Sequence, residues 1–338
     1  MNRLGRGWAS AAFLVGLVII ALICAASALH VYVSGAPIEI LTAGVNPPYA
    51  INLRMGLAEG FFATSVSITA LLGSIYLRRD KYAVQLLHLI LVMGVLGMVM
   101  TRDLFNLFVF IEIVSIATYG LLSLGRSPEA LAAGFKFLMA TVVASTLFLL
   151  GTVLLYSETG ILNIDDLIAE RDTIDGPIAV VSLTMLLGCL LIELKPFPAN
   201  GWGLDVYETA PGSISALVAS VVSAGVFFAL LKLFPLFENY VVVIAASGAI
   251  TFILANLIGL CQTNAQRLLG YSSTGQMGLL CLALALLHMA DAETAIPLVV
   301  GGLFLNHLLA KAGLFWLAGI VRKEKLADWS VLAGRPYV

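Results

Sequence analysis

Charge is what this chain has least of. Only 11% of its 338 residues are charged against 60% hydrophobic, and the mean hydropathy is +1.02. A soluble domain carries about 25% charged residues, so a water-surrounded globule is excluded and a polytopic membrane protein is expected in contact with a lipid bilayer. The 18 basic and 20 acidic residues nearly cancel, and without a basic run or an aromatic RNA-binding pattern, nucleic acid is excluded as a partner. Cysteine is also scarce. Cys24, Cys189, Cys261 and Cys281 lie in apolar runs, none forming a CxxC pair, which argues against a disulfide framework, an iron-sulfur cluster or a zinc site. All four read as small core residues. No cofactor, metal or redox centre is therefore expected in the chain, and any linked electron chemistry belongs on another subunit. Soluble domains and low-complexity linkers are absent too.

What is present is a series of apolar windows long enough to span about 30 Å of hydrocarbon. They fall at 8–30, 55–77, 82–101, 104–124, 131–156, 178–195, 213–235, 240–262, 267–288 and 295–321. The expected fold is an all-α membrane helix bundle of about ten transmembrane helices, a single membrane domain over 1–338. Only Arg102 and Asp103 separate the third and fourth windows, so a tight turn is expected there. The first run, Trp8 to Leu29, is too long for a secretory signal and reads as a retained helix.

Basic residues set the expected orientation, because cytoplasmic loops carry the excess of Lys and Arg. Arg3 and Arg6, then Arg78, Arg79 and Lys81, then Arg126, Arg267, and finally Arg322, Lys323 and Lys325 fall in alternate loops. This predicts a cytoplasmic N-terminus, with 322–338 a cytoplasmic C-terminal segment. Segment 157–177, holding Glu158, Asp165, Asp166, Glu170, Asp172 and Asp175, becomes an acidic extracytoplasmic loop packed on the outer surface.

The agreement holds only if the sixth span counts as one crossing, although it cannot be intact. Leu191-Ile-Glu-Leu-Lys-Pro-Phe-Pro-Ala-Asn-Gly-Trp202 places Pro196 and Pro198 at its end, where each removes a backbone donor and clashes with the preceding turn. Stranded carbonyls at that depth must face protein or water. The helix is therefore expected to break near 195–202 and to continue as a short segment near 202–209. Broken helices bearing ionisable groups are where ion-moving membrane proteins keep their sites.

The candidate proton-transfer residues are the ionisable groups stranded in these runs. Glu112, with Ser115 and Tyr119 at i+3 and i+7 on one stripe, would cost roughly 2.5–3.5 kcal/mol to bury charged and so protonates or finds a cation. Glu193 and Lys195 point about 200° apart if both are helical, so they need not pair, and one of them is expected to face Glu112. His307 and Lys311, four residues apart on the last span, share a face and read as two relay stations. Lys136, Asp205, Glu208 and Tyr119 are accessory candidates, Lys136 being equally compatible with a purely interfacial place. His30, His88 and His288 read as structural.

Several motifs together resemble the antiporter-like membrane subunits shared by respiratory complex I, membrane-bound hydrogenases and Mrp sodium/proton antiporters. Thr101-Arg-Asp-Leu-Phe-Asn-Leu-Phe-Val-Phe-Ile-Glu112 with Tyr119-Gly-Leu-Leu is similar to the Mrp D-type and hydrogenase versions. Gly134-Phe-Lys-Phe, Trp202 to Pro211, Arg267-Leu-Leu-Gly-Tyr-Ser-Ser and His307-Leu-Leu-Ala-Lys311-Ala-Gly-Leu-Phe match as well. The resemblance, running from Asn46 to Pro336, implies that Glu112 is the family's essential acid, partner of a lysine on the broken helix. It also implies that His307 and Lys311 are relay positions along a hydrated axis.

Three positions depart from the family pattern. Glu193 occupies the usual lysine column with Lys195 two residues late, Asn200 replaces a histidine, and Ala224 a lysine. The resemblance implies about fourteen helices, of which the first is expected to be absent here, and the given sequence runs only just past Asp328-Trp-Ser-Val-Leu-Ala-Gly334. The last helices and the exit half-channel are thus expected from another membrane subunit. The expected function is translocation of protons, with sodium/proton exchange as the variant, in a complex of NADH-quinone oxidoreductase, hydrogenase or Mrp type. Roles are expected as gated acid for Glu112, its charge partner for Lys195, an added station for Glu193 and a lateral relay for His307 with Lys311. The rivals are a structural subunit that moves nothing, a quinone site, and an independent secondary transporter.

Overall fold

A computed structural model describes residues 3–45, 50–77, 81–124 and 127–329, with the side chains of 3–6 and 43 outside that description. The long helices in chain order are α1 (Arg3–Ser34), α2 (Leu57–Leu77), α3 (Tyr82–Met100), α4 (Leu104–Ser123) and α5 (Pro128–Thr159). A short α6 (Ile164–Ala169) precedes α7 (Pro177–Glu193), α8 (Gly201–Thr209), α9 (Gly212–Leu217) and α10 (Ser223–Leu233). The bundle closes with α11 (Val241–Gly259), α12 (Ala265–Met289) and α13 (Ile296–Val321), and one small hairpin pairs β1 (Ile38–Leu41) with β2 (Asn52–Met55). Among the described residues eight helices are long and apolar enough to cross a membrane, with Gly212–Gly259 taken as one run. Dividing that run at the bend Phe234–Tyr240 and adding the 17-residue α7 makes ten crossings.

Helix ends follow local chemistry. Ser127 accepts from the Ala130 N–H, Pro128 opens the first turn of α5, and Gly160 closes it in the left-handed region at φ 69°. These caps extend α5 beyond the apolar window 131–156 at both ends, since a cap satisfies orphan backbone groups without needing an apolar side chain. The expected tight turn is present, and Asp103 caps α4 by accepting from the Asn106 N–H at 2.7 Å. Small residues bring helices together: a Cβ on Gly248 of α11 would lie 2.7 Å from the Gly278 carbonyl of α12.

The loops sort onto two faces. On one, β2 bridges to Thr101, the Leu104 N–H donates to the Leu162 carbonyl, and Arg102 joins Glu59 at 3.4 Å and Asp165. On the other, the Ala265 N–H donates to the Glu324 carbonyl and the Leu326 N–H to the Thr263 carbonyl. Chain 177–209 leaves the first face, where Arg171 pairs with Glu238 at 3.5 Å, and reaches the second, where Asp205 pairs with Arg267 at 3.3 Å. The broken segment therefore makes one crossing. Arg78, Arg79, Arg126 and segment 330–338 lie outside the described residues.

Two expectations need correction and one is extended. Segment 157–177 is not one loop: α6 buries Ile164 and Leu167, and Asn163 caps it with its side-chain oxygen. Arg102 is more than a turn residue, for its bond and charge, with Arg54, outweigh the burial of Asp165 and hold that carboxyl below its ordinary range. Cys24, Cys189 and Cys281 are buried, but Cys261 is exposed just past the end of α11. An apolar run in a membrane protein faces lipid as readily as core, so hydrophobic context alone does not imply burial.

Candidate functional site

The break in α7 is built from the prolines outward. Pro196 and Pro198 cannot continue the helix; α7 ends at Glu193, and Lys195 adopts φ 59°, a left-handed conformation costly for a residue with a side chain. That residue, rather than the helical period, decides where the ammonium goes. The aliphatic part of Lys195 lies over Gly203, where a Cβ would come within 2.6 Å of Lys195 Cδ. Nζ donates to Ser223 Oγ at 3.2 Å and to the Glu193 carbonyl at 3.3 Å. It lies 5.4 Å from the Trp202 ring and 6.0 Å from that of Tyr207, within reach of cation–π attraction. The N–H of Phe197, freed by the break, donates to Thr251 Oγ1 at 3.1 Å.

Glu193 and Lys195 are both buried, and Glu193 Oε1 has no hydrogen-bond partner among the described residues. Two charges act on Glu193 in opposite senses: the ammonium of Lys195 attracts it and the carboxylate of Glu112 repels it. Glu112 is half-buried on α4, with buried Ser115 and half-buried Tyr119 along the same helix. No ion pair joins Glu112 to Lys195 among the described residues. A second carboxylate, not a lysine, is the charge brought toward Glu112.

Beyond Lys195 the link passes through a feature the sequence does not mark. Between α9 and α10 residues Val218–Val222 form a π-helical turn, which offsets the backbone ladder by one residue and leaves carbonyls available to other donors. Ser223 donates to the Val218 carbonyl at 3.0 Å while accepting from Lys195. His307, fully buried on α13, sets Nε2 2.9 Å from the Ala219 carbonyl and Nδ1 3.1 Å from Gln276 Oε1. Since a carbonyl only accepts, Nε2 carries a proton, and Nδ1 is the nitrogen whose occupancy is free to change. Lys311 donates to Ser272 Oγ at 2.7 Å, and both Lys311 and Lys195 repel a positive charge on His307.

The structure thus brings Glu112, Glu193, Lys195, His307 and Lys311 into one electrostatically connected series. The accessory candidates gather elsewhere. Lys136 pairs with Asp205 at 2.6 Å, and Arg267 bonds both Asp205 and Glu208, forming an ion cluster near the membrane boundary. Tyr119 packs instead beside Gly134 of α5. His88 is buried edge-on to Phe13, and His288 bonds Glu293 at 2.9 Å.

Sequence reading missed Ser223, Gln276 and Ser272, the polar links between the charged stations. Their signal was weak: a hydroxyl or amide in an apolar run is ordinary in membrane helices, where it commonly bonds its own backbone. It also missed Lys232. This buried lysine on α10 donates to the carbonyls of Met98, Val99 and Thr101 at 2.8, 2.8 and 2.6 Å.

Comparison with known proteins places the sequence and the fold in one family. The family described as NADH:quinone oxidoreductase/Mrp antiporter, TM, matches residues 101–333. The chain is 30% identical over 311 residues to NADH-quinone oxidoreductase subunit N of Desulforudis audaxviator, covering 86% of this chain and 60% of that protein. It is 28% identical over 314 residues to the D-type Na(+)/H(+) antiporter subunit of Alkalihalophilus pseudofirmus, covering 88% and 61%. The chain thus spans about 60% of the length of the curated relatives it matches. In the membrane-bound sulfane sulfur reductase, an archaeal respiratory membrane complex, a chain of 28% identity superposes with a TM-score of 0.87, covering 95% of this chain and 68% of that one. A chain of the Mrp complex from a Dietzia species, 21% identical, shares the fold at a TM-score of 0.83, with 94% and 60% covered. A polar series buried in an apolar bundle and a match over most of the chain lead to one conclusion: this integral membrane protein belongs to the NADH:quinone oxidoreductase/Mrp antiporter transmembrane family.

Proposed function

We propose that this chain translocates protons, with sodium/proton exchange as the variant, as one membrane subunit of a multisubunit complex. The observation that carries the reading is Lys195, held loosely between Ser223 and a backbone carbonyl, with an unpartnered Glu193 carboxylate oxygen on one side and His307 across the π turn on the other. Protonating Glu193 removes both its repulsion of Glu112 and its attraction for Lys195, so proton occupancy at one station changes the energy of the next. On the far side, Nδ1 of His307 faces an amide that offers an oxygen or, after a half-turn, an N–H. The ring is therefore held in place with or without its second proton, and Lys311 with Ser272 extends the line. Glu112 acts as the gated acid in this reading, Glu193 and Lys195 as the coupled middle pair, and His307 with Lys311 as the lateral relay.

The face bearing Arg267, Lys323 and Lys325 is assigned to the cytoplasm of a prokaryotic inner membrane, with the N-terminus inside, on the excess of basic residues. The segment holding α6 is then extracytoplasmic and 322–338 cytoplasmic. Redox chemistry, where the complex performs any, belongs to other subunits. The reading is tested with Glu112→Gln in vesicles containing a pH dye: transport is abolished while the variant still assembles and extracts as the parent does. Unimpaired proton movement in that variant rejects the assignment. Two observations favour a purely structural subunit instead: Ala224 is fully buried without a titratable group, and Asn200 Nδ2 has no hydrogen-bond partner among the described residues. In that case the parent chain itself moves no protons above empty vesicles.

A further inference from the structure

We propose that a cleft on the basic face holds the headgroup of an anionic phospholipid. The cleft encloses about 560 Å³ and is lined by Lys81, Arg322, Tyr76, Trp316, Ser213 and Gln266 together with apolar side chains. It lies where three spans end, with Leu77 closing α2, Leu124 following α4 and Arg322 capping α13. Its depth is therefore that of the headgroups rather than of the hydrocarbon.

Charge identifies the occupant. Lys81 and Arg322 are exposed, and neither has an acidic partner within ion-pair distance among the described residues. Two cations at one mouth repel protons and sodium, so the cleft is not a further station of the cation path. They suit a phosphate, and basic pockets between transmembrane helices on the cytoplasmic side are where anionic headgroups bind. The rings of Tyr76 and Trp316 stack on the wall, 5.8 Å apart and 18° from parallel, and such amphipathic rings settle at this level of a bilayer. The Ser213 hydroxyl offers the phosphate a hydrogen-bond donor, while Leu124 and Pro211, both exposed, form an apolar wall for the glycerol and first methylenes. A free inorganic anion has no use for that apolar wall; a lipid uses both halves. Bound there, the lipid joins the ends of α4 and α13, the helices that carry Glu112 and His307.

The test uses the full chain in nanodiscs, with retained lipid counted by native mass spectrometry. Phosphatidylglycerol is expected to remain bound in competition with phosphatidylcholine and to resist displacement by inorganic phosphate. Each basic residue near such a headgroup is worth about fivefold in affinity, so Lys81→Gln and Arg322→Gln each weaken retention by about fivefold and together by roughly thirtyfold. Lys323→Gln with Lys325→Gln, equally basic but off the cleft, changes it by less than about threefold. Circular dichroism melting verifies that each variant folds, and the single variants carry the test if the double one does not. Equal retention of the two lipids, equal losses in the two double variants, or displacement by inorganic phosphate overturns the proposal. So does a cross-link from the cleft to an acidic segment of another subunit.

Discussion

Two lysines, Lys195 and Lys232, are buried in this bundle within hydrogen-bond reach of backbone carbonyls, and their surroundings are opposite in kind. Lys232 on α10 donates to three carbonyls at 2.6 to 2.8 Å at the end of α3, beside Arg102, Glu59 and Asp165. All three of its N–H bonds are spent on the end of a helix that carries negative partial charge, so it is a cap made from a distant helix. Lys195 holds one hydroxyl and one carbonyl at 3.2 to 3.3 Å, on a backbone turned left-handed, with a carboxylate and an imidazole on either side. A saturated ammonium fixes structure, whereas a loosely bound one among titratable neighbours has somewhere to send a proton. Burial of a charge is thus no guide to its role; the number, length and kind of its bonds are.

The comparison is open to experiment. The largest effect is expected from Lys232→Met, which strands three carbonyls where water does not reach. Each buried acceptor left unsatisfied costs about 1–3 kcal/mol, read as a lower thermal unfolding midpoint in detergent. An unchanged midpoint breaks the contrast. Lys195→Met should cost far less stability, about 1 kcal/mol, because its bonds are few and long and Met fills the space over Gly203. Proton transport in vesicles is nevertheless lost; a variant that melts like Lys232→Met would make Lys195 structural as well.

The smallest effect concerns the outer cluster that Lys232 joins. Arg102 holds the Asp165 carboxyl below its ordinary range, so its folded form releases its proton more readily than the unfolded chain. The sign follows: its contribution is complete above the unfolded carboxylate value of about 3.9 and is lost as pH falls through the depressed folded value. Melting curves taken from pH 7 downward should show a loss below about pH 4 that Asp165→Asn removes. An unaltered acid limb in that variant would leave Asp165 out of the cluster.

Helix interruptions divide along the same line between legible and illegible. The break at α7 was readable because proline announces it: Pro196 and Pro198 lack the donor that the ladder needs. The π turn at Val218–Val222 carries no such residue and sits in a run of valine, alanine and serine that would serve equally in a regular helix. Yet it is the π turn that presents the Ala219 carbonyl to His307. The accessory residues show the converse. Lys136, Asp205 and Glu208 were visible as charges, but only folding revealed that Asp205 bridges Lys136 to Arg267 and that Glu208 joins them there, apart from the buried series.

The sequence by itself determined that this protein lives in a membrane, how often it crosses, where one helix must break and, Lys232 excepted, which ionisable side chains to weigh in the apolar runs. Those are properties of single segments, governed by the cost of burying charge and unpaired backbone groups, and they are legible wherever a segment is read alone. Tertiary structure alone decided which charges meet. The approach of Glu193 to Glu112, the turning of Lys195 to Ser223 and the saturation of Lys232 by the end of α3 depend on helices over twenty residues apart in sequence. Their azimuths are set by packing of small residues and by one left-handed backbone angle, neither of which leaves a mark in hydropathy.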